Sequence, residues 1–405
     1  MSLLKIQNFG PITQGLKENN GFIEIKKVTI FIGSQATGKS TIAKVYSTFL
    51  WLEKALLRGD IKESYVTSYN RFIKEFCNYQ GLKSYFKDET YLHFKGEAYS
   101  FIYENKKLEI KKEEKNYLIP QIMYVPAERN FLSLVNNPEK LKQLPSPLYT
   151  FLEEFENAKK EETSLVELPI NNLSFQFKKQ NKKSMIIGDS HEIMLSEASS
   201  GIQSLLPLYL VSKYLSSNID KEQDSSTKKL SIENYTKLKK DIEKIFKNNK
   251  LSDEVKKAAL ELVSSKWTNE CFINIVEEPE QNLFPQSQQK LLESLLEFSN
   301  TTQGNKLLIT THSPYIINYL TLSIKGKTVS DKLTNNNALK NKLNEIVSPK
   351  SYIDGKDTVV YELIDGMIKL LPTYNDMPSD DNYLNLFLEQ TNDDFNKFLD
   401  IEDEI

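Results

Sequence analysis

Residues 28–46 read Val-Thr-Ile-Phe-Ile-Gly-Ser-Gln-Ala-Thr-Gly-Lys-Ser-Thr-Ile-Ala-Lys-Val-Tyr. The β-branched and aromatic run Val28–Ile32 predicts a buried strand, and Thr41–Leu50 predicts the helix that follows. Between them, Gly33–Ser40 fits the pattern G-x-x-x-x-G-K-[ST]. Each residue type has a chemical reason. The glycines let backbone N–H groups turn inward around phosphates, and the helix N-terminus adds positive potential. Lys39 can reach the β- and γ-phosphates, and the Ser40 hydroxyl can ligate Mg²⁺. Gly33, Ser34, Gln35, Ala36, Thr37, Gly38, Lys39, Ser40 and Thr41 are therefore the expected nucleotide contacts.

Three later stretches extend the constellation. Cys271–Val276 reads as a buried strand with Glu277-Glu278-Pro279-Glu280 at its end. By itself this is equally a charged turn. With a phosphate loop upstream, Glu277 becomes the expected Mg²⁺ carboxylate and Glu278 the expected general base for water attack. His312 closes the next apolar strand in Leu-Leu-Ile-Thr-Thr-His-Ser, where it can contact the γ-phosphate. Ser199-Ser200-Gly201-Ile202-Gln203 opens an apolar helix. Ser200 and Gly201 there form either an ordinary N-cap or a second anion-binding helix start. Two such starts for one nucleotide imply a head-to-tail homodimer or higher homo-oligomer with shared sites.

The remaining composition restricts the class. The chain has 405 residues, 39% of them hydrophobic, which is ample for a large core. A net charge of −3 gives no global basic field, so DNA is not indicated as a partner. Cys77 and Cys271 lie far apart without metal-ligand spacing and are expected as reduced thiols. The first residues lack a signal-peptide core, and no apolar run reaches the roughly 18 residues of a membrane span. The expectation is a soluble cytoplasmic protein without a membrane partner. Of 52 basic residues only Arg58, Arg71 and Arg129 are arginines. Against that lysine background, an arginine hints that its planar fork is needed.

The order of these motifs resembles the ABC-type ATPase heads of the SMC, RecF and OLD group. More narrowly, it is similar to the stand-alone AAA-family ATPases of bacterial anti-phage systems. Glu277–Pro285 (Glu-Glu-Pro-Glu-Gln-Asn-Leu-Phe-Pro) and Thr311-His312-Ser313-Pro314-Tyr315 carry the narrower resemblance. Ile6–Ile12 and Pro126-Ala127-Glu128-Arg129-Asn130 fit it too. It covers residues 1–215 and 270–320. Ile202 stands where the ABC signature has its second glycine, and no clear Q-loop is present, since Gln121 comes too early on its strand. The resemblance implies an α/β P-loop NTPase fold with an ABC-type head: a mixed sheet core, an antiparallel β subdomain and helical insertions. It implies ATP and Mg²⁺ as ligands and a dimeric nucleotide switch, working as sensor or regulator of a separately encoded effector in phage defence. The alternatives are a RecF/SMC-like DNA-maintenance ATPase and a scaffold that binds ATP with little turnover.

The expected partition is 1–52 for the first part of the ATPase domain, then 53–119 for a helical and antiparallel-sheet insertion. The ATPase domain continues over 120–217, and 218–266 is a helical insertion with helices at Ile232–Phe246 and Ser252–Ser264. The Glu277 and His312 strands fall in 267–325, and 326–405 is a C-terminal extension. Asn335–Asn341 reads there as a low-complexity loop and Thr358–Leu371 as a hairpin. Residues 376–405 hold ten acidic side chains and one lysine. Leu384, Phe387 and Leu388, and Phe395, Phe398 and Leu399, have the i, i+3, i+4 spacing of short amphipathic helices. OLD-like relatives can carry a metal-dependent nuclease, and the chemistry that it needs, converging carboxylates at strand ends, is not expected in 320–405.

Overall fold

The structure is a computed structural model that describes residues 2–113, 117–135, 143–162, 164–224, 256, 269–333 and 336–403. In chain order, strands β1 (Ser2–Phe9), β2 (Gly15–Leu16), β3 (Ile23–Ile25) and β4 (Val28–Gly33) precede helix α1 (Lys39–Leu57). Strands β5 (Phe86–Lys95), β6 (Tyr99–Glu104), β7 (Lys107–Lys112) and β8 (Pro120–Val125) lead to α2 (Ser146–Glu161). Four short strands, β9 (Val166–Glu167), β10 (Ser174–Lys178), β11 (Lys183–Ile187) and β12 (Glu192–Met194), precede α3 (Ser200–Asp224). The last part holds β13 (Cys271–Glu277), α4 (Pro285–Asn300), β14 (Lys306–Thr311), α5 (Pro314–Lys332) and α6 (Asn337–Ile346). It ends with β15 (Thr358–Ile364), β16 (Met367–Leu370) and α7 (Tyr383–Asp403). Apart from Lys256, the helices expected at Ile232–Phe246 and Ser252–Ser264 lie outside the described residues.

A seven-stranded mixed sheet, ordered β2-β16-β15-β4-β14-β13-β8, forms the centre. The five strands from β15 to β8 run parallel to one another. Their near-continuous apolar runs follow from burial on both faces. Alternation splits each strand between two cores. Val28, Ile30 and Ile32 join Leu307, Ile309, Phe272 and Val276 against α2–α5. Phe31, Leu308, Ile273 and Ile275 face α1. With loop glycines between a parallel strand and a helix, this is the mixed α/β P-loop NTPase fold.

A second sheet, antiparallel and ordered β3-β1-β5-β6-β7, covers the far side of α1. It differs from the expected insertion at 53–119, because it begins at residue 2. Leu4 pairs with Phe94 and Ile6 with Leu92, so β1 supplies an inner strand. Phe49 on α1 stacks on Phe94, with ring centroids 5.4 Å apart. The helical part expected in 53–119 is also broken up. Left-handed backbone at Gly59, Tyr69, Asn70 and Gly81 leaves a short turn of helix at Glu63–Thr67 and a π-helical turn at Phe72–Cys77. The aromatic spacing there serves packing, with Phe72 against Phe49 and Tyr103.

The C-terminal segment departs further. The hairpin expected at Thr358–Leu371 forms, but β15 enters the central sheet directly beside β4. Residues 326–405 are thus in part central sheet and not wholly an extension. The loop expected at Asn335–Asn341 is helical from Asn337, because the Asn336 side chain caps it by accepting from the Leu339 N–H at 3.1 Å. The acidic end is one helix, α7. Leu384 packs on the main core, while Phe387, Phe395, Phe398 and Leu399 stay exposed. Among the described residues no helix is long and apolar enough to cross a membrane.

One buried carboxylate ties α1 to the second sheet. Glu53 accepts from the Ala98 and Tyr99 N–H groups at 2.7 and 3.0 Å. Burial pushes its pKa up to about 7, against the pull of those N–H groups. In the unfolded chain the carboxyl titrates near its ordinary 4.5. Between these values the native state holds the extra proton, so stability falls as pH rises, by up to about 1.4 kcal/mol per pH unit. Glu53→Gln keeps an oxygen for both N–H groups and cannot ionise. It is expected to lose this slope and to melt above the wild type near about pH 8. Thermal melts across the window check this; equal slopes in both proteins would assign the dependence elsewhere.

Candidate functional site

The parallel register brings the ends of β15, β4, β14 and β13 into one row. Leu363 pairs with Gly33, Ile32 with Thr311, and Thr310 with Glu277. The loop after β4 then turns back into α1. Gly33 has φ +144°, and a Cβ there would lie 2.4 Å from the Leu363 carbonyl oxygen. Gly38 has φ +109°, with Ile12 2.8 Å from the position of an added Cβ. The Ile6–Ile12 run therefore braces the loop from the second sheet. Ala36 is also left-handed, at φ 61°. The Thr37 hydroxyl closes the loop by donating to the Ser34 carbonyl at 2.9 Å. Among the described residues, none of the N–H groups from Gln35 to Thr41 donates to a backbone carbonyl. Such a row at a helix start suits an anion. Gln35 is exposed, Ser40 half-buried and Thr41 buried.

Lys39 is buried. Its ammonium donates to the carbonyls of Gly33 at 2.9 Å and Ser34 at 2.7 Å, and lies 3.3 Å from His312 Nδ1. Burial lowers its pKa to about 8, while Glu278, Glu280 and Glu277 pull it back up. An ammonium only donates, so Nδ1 of His312 accepts and the ring proton sits on Nε2. That nitrogen is 3.4 Å from Glu278 Oε1. The hydrogen bond to His312 holds the Glu278 carboxyl below its usual range, against a rise from burial. Lys39, His312 and Glu278 thus form one chain of contacts.

Glu277 ends β13 with its side chain buried and its Oε1 without a hydrogen-bond partner. A buried, unpartnered carboxylate oxygen fits a hard divalent ion. Among the described residues no cluster of three His, Cys, Asp or Glu side chains could hold a metal. An ion at Glu277 would take most ligands from hydroxyl, phosphate and water, as Mg²⁺ commonly does. Glu280 does something different. Its Oε1 accepts the His312 N–H at 2.7 Å, and burial raises its pKa. It holds the histidine backbone in place.

Among the described residues, neither Ser200 nor Gly201 hydrogen-bonds to the phosphate loop of its own chain. Ser200 is exposed at the start of α3, and an added Cβ on Gly201 would lie 2.7 Å from the Asn282 carbonyl oxygen. Gln121 sits at the opposite end of the sheet, accepting from Asn269 Nδ2 at 2.9 Å. Two residues outside the expected site belong to it by geometry: Glu280, and Arg129 behind the Glu277–Glu278 backbone. The scarcity of arginine was the sequence signal for the second.

No protein-family model matches the chain, and no curated protein matches it. Solved structures do. The SMC head domain from Thermotoga maritima is 11% identical, with a TM-score of 0.37 over 92% of this chain and 100% of that one. An SMC head bound to the C-terminal winged-helix domain of ScpA is 8% identical, with a TM-score of 0.38 over 91% and 96%. The dimeric post-hydrolysis state of an ATP-binding cassette bound to ADP and Pi is 10% identical, with a TM-score of 0.29 over 92% and 100%. These scores are low, so the strand order and loop geometry carry the fold by themselves.

Gly33→Ala is expected to lower stability by about 2 kcal/mol or more, since strained backbone and a carbonyl clash coincide. A thermal melt reads this directly. A melting temperature equal to that of the wild type would mean that the β4–β15 approach is wider than described.

Proposed function

We propose that this chain is an ATP-hydrolysing, ABC-type nucleotide switch. The observation that carries the reading is the contact chain Lys39–His312–Glu278 beside a helix start with unpaired N–H groups. The N–H groups from Gln35 to Thr41 and the Lys39 ammonium would hold the phosphates. Ser40 and Glu277 would hold Mg²⁺, which neutralises phosphate charge and orients the chain for in-line displacement. Glu278, kept ionised by His312, accepts the proton of the attacking water. Ser200, exposed at the start of α3, and Gly201 beside it serve the nucleotide of a second copy. The motif resemblance at Glu277–Pro285 and Thr311–Tyr315 supports a role as sensor or regulator of a separately encoded effector in anti-phage defence.

Glu278→Gln removes the proton acceptor and leaves the phosphate contacts. ATP·Mg affinity by calorimetry is expected to stay within about threefold, while turnover falls about a hundredfold or more. Turnover at the wild-type level would move the base to Glu277 or Glu280. Unmeasurable ATP binding in the wild type would reject the whole reading.

Sharing of sites is tested by mixing. Ser200→Arg and Lys39→Ala are each expected to be inactive alone, the first with ATP binding intact. Mixed dimers contain one complete composite site and are expected to regain activity, up to about a quarter of the wild-type rate for random pairing. Verified heterodimers without recovery would show that each chain completes its own site.

A further inference from the structure

Arg129 has no exposed surface and is the largest fully buried side chain among the described residues. It sits in the 3₁₀ turn Ala127–Asn130, directly after β8. Its partners are all backbone carbonyls. Nε donates to Ser204 at 3.1 Å, Nη1 to Pro126 at 3.3 Å and to Glu277 at 2.7 Å, and Nη2 to Glu278 at 2.6 Å. A guanidinium with this geometry holds backbone in place, and only its planar fork reaches all four oxygens.

Both ends of the bridge are unusual. Glu278 has φ 44°, a left-handed conformation rare outside glycine. Its N–H donates to the Thr310 carbonyl at 2.8 Å and its own carbonyl is taken by Arg129, so both backbone groups are fixed. At the other end, Pro207 lies inside α3 and has no N–H to offer the Gln203 carbonyl. The Ser133 hydroxyl fills that place at 2.8 Å, one turn of chain beyond Arg129. The segment 126–133 thus grips α3 at Gln203 and Ser204 and grips β13 at Glu277 and Glu278. Asn282 adds a parallel link, its Nδ2 3.3 Å from the Ser204 hydroxyl.

We propose that Arg129 is a positioning residue that couples the Ser200–Gly201 end of α3 to the backbone of Glu278, setting the aim of its carboxylate. A displacement of the helix start, such as docking of a second copy there, reaches Glu278 through the guanidinium. The part concerning catalysis rests on the proposed ATPase reading; the coupling itself does not.

The test uses Arg129→Lys, which keeps a buried cation and loses the fork. ATP affinity and KM are expected within about threefold of the wild type, with kcat down about thirtyfold or more. In a Glu278→Gln background the same substitution is expected to add no further loss, because it acts through Glu278. Hydrogen exchange gives a readout independent of turnover: amides in 200–206 and 278–283 are expected to exchange about tenfold faster together, with α1 and β14 unchanged. Additive losses, weakened binding matching the loss of kcat, or a uniform rise in exchange would reduce Arg129 to a core residue and overturn the proposal. If the wild type does not hydrolyse ATP, the ATPase reading fails and hydrogen exchange alone decides the coupling. If Arg129→Lys does not fold, native-state exchange of the wild type in mild denaturant decides it. Segments 126–133, 200–206 and 277–283 must then open as one unit, and separate opening overturns the proposal.

Discussion

A buried ammonium organises this molecule. Lys39 is removed from water at the start of α1, and its charge survives because three carboxylates, Glu278, Glu280 and Glu277, oppose the desolvation. Those carboxylates come from a different strand, more than two hundred residues further along the chain. The site therefore requires β13, β14 and β4 side by side in parallel register, with their C-terminal ends level. Parallel neighbours need long crossovers, which is why α3, α4 and α5 stack on one face. The charge balance at one sheet edge and the layering of the whole core are the same constraint.

The ammonium also sets the state of the histidine. Because Lys39 donates to Nδ1, His312 presents an N–H to Glu278 and not a lone pair. The hydrogen bond from His312 is the main effect that holds the carboxyl below its usual range, and the charges of Lys39 and Arg129 add to it. Glu280 completes the arrangement from behind by accepting the His312 backbone N–H. Three acidic residues within four positions thus have three different environments. One is buried at a strand end with an unpartnered oxygen, one half-exposed and ionised, and one buried with its pKa raised.

The parts of this arrangement that were legible in the sequence are local. The strand before Gly33, the glycine loop, the strand ending at Glu277 and the strand ending at His312 each show their chemistry within a dozen residues. What was not legible depends on partners far along the chain. Nothing near Leu4 says that it pairs with Phe94, and nothing near Val360 says that it lies beside Ile30. Ile12 under Gly38 explains the N-terminal run only once the loop is built. Glu280 reads as one more acid in a turn until the His312 N–H is found on it. Arg129 carried a compositional hint, yet its four carbonyls come from three separate segments, and no spacing rule joins them.

The same distinction accounts for Ile202, the departure from the signature pattern. A glycine is required where backbone must approach a ligand or another backbone closely. At the start of α3 that demand falls on Gly201, which packs against the Asn282 carbonyl. The next side chain points the other way: Ile202 is buried in the main core with Leu205 and Leu206. A glycine there would open a cavity under the first turn and loosen the helix start that Arg129 and Ser133 hold. Isoleucine at this position stabilises the inner face of α3 and leaves Ser200, on the outer face, exposed. The two faces of one helical turn therefore answer to different demands, packing within and access without, and the sequence departs from the pattern only on the face that packs.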